Sequence, residues 1–384
     1  MILMEDKMNC CGCTACYNGC PKKCIEMKED NEGFKYPVID KNKCTNCGIC
    51  NQMCSINDKK ENEQKPEVVA AWSKEEENRK SSSSGGCFSE FAKYILQNNG
   101  IVYGAKYDEN FNVIHSSADT LEELEKLKRS KYAQSDIGKT YQETKQHLEN
   151  NKSVLFTGTP CQISGLYKFL GKNYENLFTC DFICHGVPSA KLYRKYTDYI
   201  NKKYNSKIKE INFRNKISGW KEYSVNIELE NNKRYREKAS KDMYIKAFLI
   251  DINSRPSCYN CKFRGIPRIA DITLGDFWGI NKICPEIDDD KGISVLLINN
   301  TKGEKLIEKC KDRLVIKEGF KIEDVIRYNP CVAKPVTPHK NRNKFFMDIE
   351  KLSMEELAKK YIKKDFILKR IYRRIKIRSG KYTR

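Results

Sequence analysis

The sequence lacks any apolar run long enough to cross a membrane. One of its longest apolar stretches, ISVLLI at residues 293–298, is far shorter than the roughly 20 residues that span a bilayer. The N-terminus, MILMEDKMNCC, is interrupted by acidic residues and cysteines where a signal peptide needs an apolar run of about 7–15 residues. We therefore expect no transmembrane helix and a cytoplasmic protein.

Nucleotide-binding and catalytic motifs are also scarce. No G-x-G-x-x-G run occurs, so the Rossmann dinucleotide fingerprint is missing and a nicotinamide enzyme of that kind is not indicated. The chain has four histidines, of which His115, His147 and His339 have no motif around them. The chemistry of the chain is therefore to be sought in a residue type that it has in excess.

Cysteine is that residue type, with 19 copies in 384 residues. Such a content is typical of a disulfide scaffold only in short secreted chains. This chain is long, has no signal-like N-terminus, and holds an odd number of cysteines. Thiolates that bind metal are the better interpretation.

The first 54 residues contain one cysteine pattern twice: two spacings of two residues, then one of three, with Pro21 after the first copy. Three closely spaced thiolates bind three irons of one [4Fe–4S] cluster, while the fourth binds the cluster of the other repeat. We therefore predict a crossed assignment. One cluster is bound by Cys10, Cys13, Cys16 and Cys54, and the second by Cys20, Cys44, Cys47 and Cys50.

Zinc is the alternative metal for these cysteines. It favours two Cys-x2-Cys pairs around one tetrahedral site, which two four-cysteine runs fit poorly.

Gly12 and Gly48 adjoin ligand cysteines, where the backbone must come close to a cluster. Ser55 stands where the pattern expects a second proline, and Cys11 and Cys24 lie outside the pattern, so we predict that both are free thiols.

Composition divides the chain into four parts. We predict a ferredoxin domain at 1–56, a polar linker at 57–66, a main domain at 67–350 that alternates short strands with helices, and a basic tail at 351–384. The predicted fold class is α+β, with a bacterial-type ferredoxin domain followed by a mixed α/β domain that is not Rossmann. Strands are expected at 68–72, 101–107, 153–158, 177–184 and 293–300, a hairpin at Asn231-Asn232, and helices at 88–98, from Thr120, from about Cys161 and after Pro188.

The net charge of +20 is concentrated at the C-terminus. Residues 359–384 hold twelve basic residues and one acidic residue, whereas residues 1–54 hold seven of each. Apolar residues at near-helical spacing in the tail, Tyr361, Leu368, Ile371, Tyr372 and Ile375, predict a basic amphipathic helix. The helix could lie on anionic lipid at the inner membrane face, dock on an acidic protein or be solvated, while nucleic acid is not expected because no binding motif is present.

A second set of cysteines follows in the main domain. Cys161 stands at a predicted strand-to-helix turn, Cys184 ends a strand beside His185, and Cys258 and Cys261 form a Cys-x2-Cys pair in a loop. These four could converge. A lone Cys-x2-Cys pair is a weak signal, so spacing alone leaves a zinc site and an iron–sulfur cluster equally open.

Six ordered sequence blocks lie in the main domain: SSSSGGCFSE at 81–90, SKYAQS at 130–135, GTPCQ at 158–162, CHGVPS at 184–189, FRNKISGW at 213–220 and RIADITLGDFWGI at 268–280. Together these blocks resemble the coenzyme F420 hydrogenase/dehydrogenase beta-subunit family. The resemblance covers nearly the whole chain. It implies a flavoprotein-like main domain with FAD and at least one iron–sulfur cluster, which exchanges electrons with a small organic partner.

The resemblance extends to particular residues. It implies a third [4Fe–4S] cluster on Cys161, Cys184, Cys258 and Cys261, with Cys180 as a substitute ligand and zinc or buried thiols as the alternatives. It also implies flavin contacts from two segments. One precedes a helix and can hold phosphate through backbone N–H groups, and the other offers a cation, a ring and polar groups: Ser82, Ser83, Ser84, Gly85 and Gly86, then Lys131, Tyr132, Gln134 and Ser135.

The predicted function is that of an oxidoreductase. Electrons would pass between the ferredoxin clusters, the third cluster, FAD and a small organic acceptor such as a deazaflavin, with His185 as a candidate proton relay. A redox partner protein, such as a ferredoxin or a hydrogenase-like subunit, is expected. The alternatives are an electron-relay subunit with no substrate of its own and a basic zinc protein.

Asp271 and Asp276 are expected to orient a cluster loop or a basic side chain such as Arg268.

Overall fold

The computed structural model describes residues 7–57 and 65–362. Most of the linker predicted at 57–66, and residues 363–384 of the predicted basic tail, lie outside the described residues. In the described parts of the chain, no helix is both long and apolar enough to cross a bilayer.

Two short helices and one antiparallel hairpin form the N-terminal part. In chain order they are α1 Ala15–Asn18, β1 Ile25–Glu29, β2 Lys35–Ile39 and α2 Ile49–Gln52. Each helix begins after a residue in the left-handed conformation, Thr14 at φ 63° and Gly48 at φ 76°. This sharp turn folds the cysteine loop that precedes each helix back toward the cysteine in that helix, which is Cys16 in α1 and Cys50 in α2.

The remaining strands form two sheets. They are β3 Glu67–Ser73, β4 Ile101–Tyr107, β5 Val113–Ala118, β6 Val154–Thr157, β7 Leu177–Phe182, β8 Ile208–Asn215, β9 Ser224–Leu229, β10 Arg234–Lys238, β11 Ile272–Asp276, β12 Ser294–Ile298 and β13 Leu314–Lys317. Eight of them form a mixed sheet in the order β13-β3-β12-β11-β7-β6-β4-β5, in which β4, β6, β7 and β11 run parallel. The other three form an antiparallel sheet in the order β10-β9-β8.

Helices connect and cover these strands. They are α3 Glu76–Ser81, α4 Cys87–Gln97, α5 Leu121–Leu127, α6 Thr140–Glu149, α7 Pro160–Leu170, α8 Ala190–Tyr204, α9 Met243–Leu249, α10 Ile280–Ile283, α11 Thr301–Cys310, α12 Ile322–Tyr328, α13 Arg342–Asp348 and α14 Met354–Leu357. Thr120 caps α5 by accepting from the Glu123 N–H, and the Glu123 side chain accepts from the backbone N–H of Asp119. The strands and helices predicted within residues 7–57 and 65–350 are present, within a few residues at their ends, and the mixed fold class is confirmed.

Apolar cores lie on both faces of the large sheet, as its nearly continuous apolar strands require. One face packs against α4 and α11, with Phe91 and Leu306 both 0% exposed. The other face packs against α6, α7 and α12. Ala15 of the N-terminal part belongs to the core beneath α7, so that part is packed directly onto the main domain.

A third core lies between the small sheet and the helices α8, α9, α13 and α14. Tyr361 and Ile362 belong to it, with 5% and 1% exposure, and Tyr361 donates a hydrogen bond to Asp348. The prediction of a separate amphipathic tail is therefore wrong at its start. Tyr361 was assigned to that tail, but it is covered by Phe345 at a centroid distance of 5.6 Å.

Candidate functional site

Three thiols of the first repeat lie together, at positions 10, 13 and 16, and a thiol of the second repeat joins them. Cys10 is 6% exposed, and burial together with the charges of Cys13, Cys10 and Cys54 raises the pKa of Cys16. Gly12 has φ +69°, a conformation that favours glycine, within this loop. The four cysteines predicted to share one cluster are therefore close neighbours, including Cys54 from 34 residues beyond the end of the first repeat at Cys20.

The other four cysteines of the repeats line one cavity of about 360 Å³, including its open mouth: Cys20, Cys44, Cys47 and Cys50. Cys24 lines the same cavity, and its Sγ lies 3.4 Å from Cys20 Sγ. Burial and this contact raise the pKa of Cys24 to about 12. Cys24, predicted as a free thiol outside the pattern, is thus a fifth thiol beside the second ligand set.

The cysteines of the main domain line a second cavity, of about 600 Å³ with its open mouth. Its lining includes Cys161, Cys184, Cys258 and Cys261, together with Cys11 and Cys331. Burial raises the pKa of Cys258 to about 12, and the charge of Cys161 acts in the same direction. The convergence expected of these four cysteines is present in the fold.

Local structure explains how Cys161 reaches the cavity. Pro160 begins α7, and Thr159 caps the helix in a capping box with Gln162. The Thr159 hydroxyl lies 3.1 Å from Cys161 Sγ, which fixes the thiol at the first turn of the helix. Cys180, the substitute ligand, faces the opposite core at 1% exposure with Cys87 and Cys310 and is not among the lining residues, because it is an inward residue of β7.

Cys11 connects the first repeat to the cavity of the main domain. It is 7% exposed, and hydrogen bonds to Cys13 and Cys161 and burial raise its pKa. The hydrogen bond from Cys11 lowers the pKa of Cys13 to about 7. The two proposed ligand sets are therefore separated by a single thiol.

No three His, Cys, Asp or Glu side chains within residues 7–57 and 65–362 converge on one point as the ligands of a single metal ion do. A cubane cluster does not require such convergence, because each thiolate binds a different iron. At each of the three candidate sites the possible ligands are all sulfur atoms. They lie in the two cysteine loops and around the cavity of the main domain, and this arrangement fits an iron–sulfur cluster at each site.

The serine- and glycine-rich segment lies at the edge of the large sheet. Gly86 adopts φ +87° immediately before α4, and a side chain at Gly85 would come within 2.5 Å of the Ala71 carbonyl. Ser82 is 8% exposed. The Ser84 hydroxyl donates to the Ile293 carbonyl at 3.1 Å. The segment is a tightly built turn.

The two segments predicted to hold flavin touch one another. Ser83 Oγ accepts from the backbone N–H of Ser130 at 2.9 Å, which joins residues 82–86 to residues 130–135. Ser135 accepts from Gln162 Nε2 at 3.0 Å, and Gln134 Nε2 donates to the Cys11 carbonyl at 3.0 Å. One continuous set of contacts therefore runs from the serine segment to the first cysteine repeat.

Two members of the second segment have partners that differ from the expected ones. Lys131 Nζ donates to the carbonyls of Lys126 and Lys128 at 2.9 and 2.5 Å, and burial lowers its pKa to about 7. The Tyr132 ring packs between Phe213 and Phe248 at 5.4 Å from each. Neither side chain is free as an exposed cation or stacking ring, because both are used inside the fold.

Two cations that sequence reasoning did not assign lie beside the serine segment instead. Lys216 Nζ donates to the Ser84 carbonyl at 2.8 Å, and burial lowers its pKa to about 7. Arg214 Nη2 donates to the Ser83 carbonyl at 3.3 Å and to Asp276 at 2.9 Å, while its buried Nε has no hydrogen-bond acceptor. Both belong to the block FRNKISGW, and this block was the sequence feature from which they could have been identified.

The acidic residues of the last block have partners that the sequence did not specify. Asp276 pairs with Arg214, and Asp271 accepts from the backbone N–H of Thr179 at 2.7 Å. Arg268 pairs with Asp181 at 2.8 Å. Asp276 therefore orients a basic side chain as expected, but that side chain is Arg214, whereas Arg268 is paired with Asp181 on the neighbouring strand β7.

His185 lies behind the cavity and not within it. Its Nε2 is 2.6 Å from Asp251 Oδ1, and its Nδ1 is 3.4 Å from Cys331 Sγ. Burial opposes its ionisation, but the hydrogen bonds to Asp251 and Cys331 outweigh burial and raise its pKa to about 9. Such a histidine is a positively charged structural partner, and the proton-relay role stays a prediction.

Comparisons with known proteins agree with this arrangement. Residues 9–57 match the model of a 4Fe-4S dicluster domain. Residues 68–141 match the N-terminal model, and residues 151–322 the C-terminal model, of the coenzyme F420 hydrogenase/dehydrogenase beta subunit.

Individual relatives are distant. A coenzyme F420-dependent sulfite reductase from Methanocaldococcus jannaschii is 24% identical over 326 residues, which are 82% of this chain and 47% of that protein. The chain thus spans about half the length of that relative. An uncharacterized ferredoxin from the same organism is 36% identical over 55 residues, 14% of this chain and 70% of that protein.

A solved chain in the F420-reducing [NiFe] hydrogenase complex of Methanosarcina barkeri aligns with 18% identity and a TM-score of 0.45, over 70% of this chain and 90% of that chain. The family models carry the assignment. The chain belongs to the coenzyme F420 hydrogenase/dehydrogenase beta-subunit family and has an N-terminal 4Fe-4S dicluster domain, which makes it an iron–sulfur protein of an electron-transfer oxidoreductase family.

Proposed function

We propose that the chain is an iron–sulfur flavoprotein oxidoreductase. It would pass electrons between its two ferredoxin clusters, a third [4Fe–4S] cluster and FAD, to or from a small organic molecule such as a deazaflavin. The domain division at 1–56 and 67–350, the ligand sets and the flavin contacts are all parts of this proposal.

One observation carries the proposal, namely that Cys11 interacts with Cys13 on one side and Cys161 on the other. Cys13 belongs to the first ligand set and Cys161 to the third. Electron transfer between clusters requires that their ligands come close, and this contact brings two sets together within the protein interior. If Cys13 and Cys161 were structural cysteines that bind no cluster, their common contact with Cys11 would not bring two clusters together.

The chain's own residues fit a flavin near the serine segment. Arg214 brings a cationic side chain to the Ser83 carbonyl, and its buried Nε still has an unused donor, whereas Lys216 Nζ is already bound to the carbonyls of Arg79, Ser84 and Lys291. Such donors suit the phosphates of a dinucleotide. FAD, when bound, would join one-electron transfer to two-electron chemistry, and the protein would bind it, orient it and exclude water.

The contact between Gln134 and Cys11 supports the placement of a flavin next to the clusters. Gln134 lies four residues beyond Ser130, which bonds to the serine segment, and its side chain reaches the backbone of the first repeat. A cofactor held along residues 130–135 would therefore have the first and third ligand sets at one end of its site.

Anaerobic purification with iron, sulfide and flavin measured on the same sample tests the proposal. We expect about twelve irons and one FAD per chain, as three cubane clusters require. About eight irons would remove the third cluster, and colourless protein with zinc would remove the electron-transfer function altogether.

An electron-relay subunit is the second candidate. It is favoured by the sulfite reductase relative, of which the similar region makes up only 47%. In that case a redox partner protein, such as a ferredoxin or a hydrogenase-like subunit, would supply or receive the electrons. Reoxidation of the reduced protein by a small acceptor alone supports the first candidate, and reoxidation only with a partner protein supports the second.

The predicted contact of the tail with anionic lipid and the cytoplasmic location are further parts of the proposal. Most of the tail lies outside the described residues, so its charge pattern alone supports a surface contact. Vesicle flotation with and without anionic lipid, on the full chain and on a chain ending at residue 362, measures it. Equal flotation of the two chains would remove the tail from this role.

A further inference from the structure

A fully buried arginine lies where the N-terminal part meets the main domain. Arg255 is 0% exposed. Its Nε donates to the Cys10 carbonyl at 2.8 Å, its Nη2 donates to the Lys35 carbonyl at 2.8 Å, and its Nη1 donates to Gln134 Oε1 at 3.0 Å. Three distant segments of the chain thus meet at one guanidinium group.

This guanidinium lies against the loop of the first cluster. Its Nη2 is 3.7 Å from Cys10 Sγ, and its Cζ lies 4.4 Å from the centroid of the Tyr36 ring. A Cβ atom at Gly12 would come within 2.7 Å of Nη1, so glycine is needed there for the loop to approach the cation. The positive charge is therefore packed against the Cys10–Cys13 loop.

The charge of Arg255 has no carboxylate partner among residues 7–57 and 65–362. Three other buried arginines in the described chain have one: Arg79 pairs with Asp289, Arg214 with Asp276 and Arg342 with Glu32. A buried cation without a counter-charge is costly.

The groups whose negative charge would favour the cation are Cys10, Tyr36, Cys11 and Cys258. Two of these groups are proposed cluster ligands, Cys10 of the first set and Cys258 of the third, so a bound cluster would bring negative charge to Arg255.

We propose that Arg255 is the counter-charge of the first cluster and holds its reduction potential above that of the second cluster. The proposal rests on the ligand assignment Cys10, Cys13, Cys16 and Cys54 made under the proposed function. A cubane held by four thiolates becomes more negative by one charge when an external reductant donates one electron to it. A fixed positive charge nearby in a medium of low dielectric favours that reduced form.

The second site offers no equivalent. Lys22 is the one cation among the residues that line the 360 Å³ cavity of Cys20, Cys44, Cys47 and Cys50, and it is exposed to solvent. Water and salt screen such a charge. The two sites therefore differ in the one feature that the proposal requires.

A redox titration of the full chain, poised with dithionite and monitored by electron paramagnetic resonance, tests this directly. Signals are assigned to sites with Cys16→Ser and Cys47→Ser. At a fixed solution potential near the midpoint, Arg255→Gln should lower the reduced-to-oxidised ratio of the first cluster by about tenfold or more, equivalent to about 59 mV for one electron.

Two control variants separate the charge of Arg255 from other effects of replacing a buried arginine. Arg255→Lys retains the charge and should stay much closer to the wild-type ratio than Arg255→Gln does. Arg79→Gln also removes a buried arginine, but one with its own carboxylate and no recorded contact with the N-terminal part, so the first cluster should titrate as in the wild type. The second cluster should move less than the first in Arg255→Gln.

A second pair of variants leaves Arg255 in place. Gln134→Glu supplies the missing carboxylate at the position 3.0 Å from Nη1, and it should shift the first cluster in the same direction as Arg255→Gln. Gln134→Met removes the hydrogen bond without adding charge and should shift it less. If Arg255→Gln fails to bind the first cluster, the comparison of Gln134→Glu with Gln134→Met tests the role of the Arg255 charge instead.

The failure of this proposal can be told from the failure of the proposed function. A wild-type chain that binds no iron at the first ligand set sinks the ligand assignment. A chain that binds the cluster, but whose first-cluster ratio is unchanged in both Arg255→Gln and Gln134→Glu, overturns the role of Arg255 alone. A shift of equal size in Arg255→Lys would also overturn it, because charge would then not be the cause.

Discussion

The two cysteine sites of the N-terminal part have the same spacing but opposite surroundings. The first packs against the main domain, with Cys10 at 6% exposure and Gly165 of α7 so close that an added Cβ would lie 2.9 Å from Cys13 Cβ. The second faces outward, with Cys47 exposed and nothing within 4 Å of a Cβ built on Gly48. Identical ligand patterns thus obtain different surroundings from the remainder of the chain, and the contrast predicts an inward and an outward cluster.

The largest expected effect breaks the inward site. Cys54→Ser should remove about four irons and the first cluster's signal, because Cys54 lies with the thiols of the first repeat. Iron analysis and electron paramagnetic resonance measure this. Cys284→Ser, at a thiol bonded to Glu286 and outside the three sites, is the control and should retain all iron. Loss confined to the second repeat's cluster would contradict the crossed assignment.

Removal of metal should distinguish the two sites next. We expect a chelator to extract the iron of the second cluster several-fold faster than that of the first, because Cys47 is exposed and Cys10 is buried. The rates are followed by absorbance, with Cys47→Ser and Cys16→Ser used to assign the two phases. Equal rates, or faster loss from the first site, would contradict the contrast.

Acidification should weaken the packing on the inward side. His115 bonds to Ser135 and the Thr157 carbonyl, and burial lowers its pKa from 6.5 to about 4. Between these values the unfolded chain binds a proton that the folded chain does not, so the free energy of unfolding should fall by roughly 2 kcal/mol between pH 7 and pH 5. Urea unfolding at pH 7 and at pH 5 measures the change.

A histidine outside this contact supplies the control for that measurement. His147→Gln should keep the wild-type dependence on pH, whereas His115→Gln should reduce it. An unchanged slope in His115→Gln would show that another group is responsible.

A smaller effect is expected at the contact between α7 and the first repeat. Gly165→Ala should lower the free energy of unfolding by about 1–3 kcal/mol, because the added methyl group meets Cys13 and the Tyr141 hydroxyl at 2.9 and 3.0 Å. Helix propensity alone predicts the opposite sign. Asp198→Ala, at an exposed position in α8, is the matched control, and equal stability of the two variants would mean that the contact is not tight.

Much of this arrangement could be predicted from local sequence. Spacing predicted which thiols of the two repeats are neighbours, apolar runs predicted strands such as β4 and β12, and Thr120 predicted the start of α5. These features depend on residues that are near one another in the chain. The family resemblance added the main-domain cysteines, which spacing alone left open.

Contacts between distant residues could not be predicted. Arg255 is 245 positions from Cys10, and nothing in its neighbourhood indicates that it reaches the first repeat. Cys11 and Cys331 have no ligand spacing, and their place in the main-domain cavity depends on the packing of three segments. The partners of Lys131 and Tyr132 could not be predicted for the related reason that burial, which gives them these partners, is not visible in a six-residue block.

The most direct test of the inward and outward sites is the magnetic interaction between reduced clusters, measured by pulsed electron paramagnetic resonance on the dithionite-reduced full chain. We predict an interaction between the first and third clusters that persists in Cys47→Ser and disappears in both Cys54→Ser and Cys161→Ser. An interaction with the third cluster that is lost in Cys47→Ser but persists in Cys54→Ser would contradict the account, because the outward site would then be the one next to the main domain.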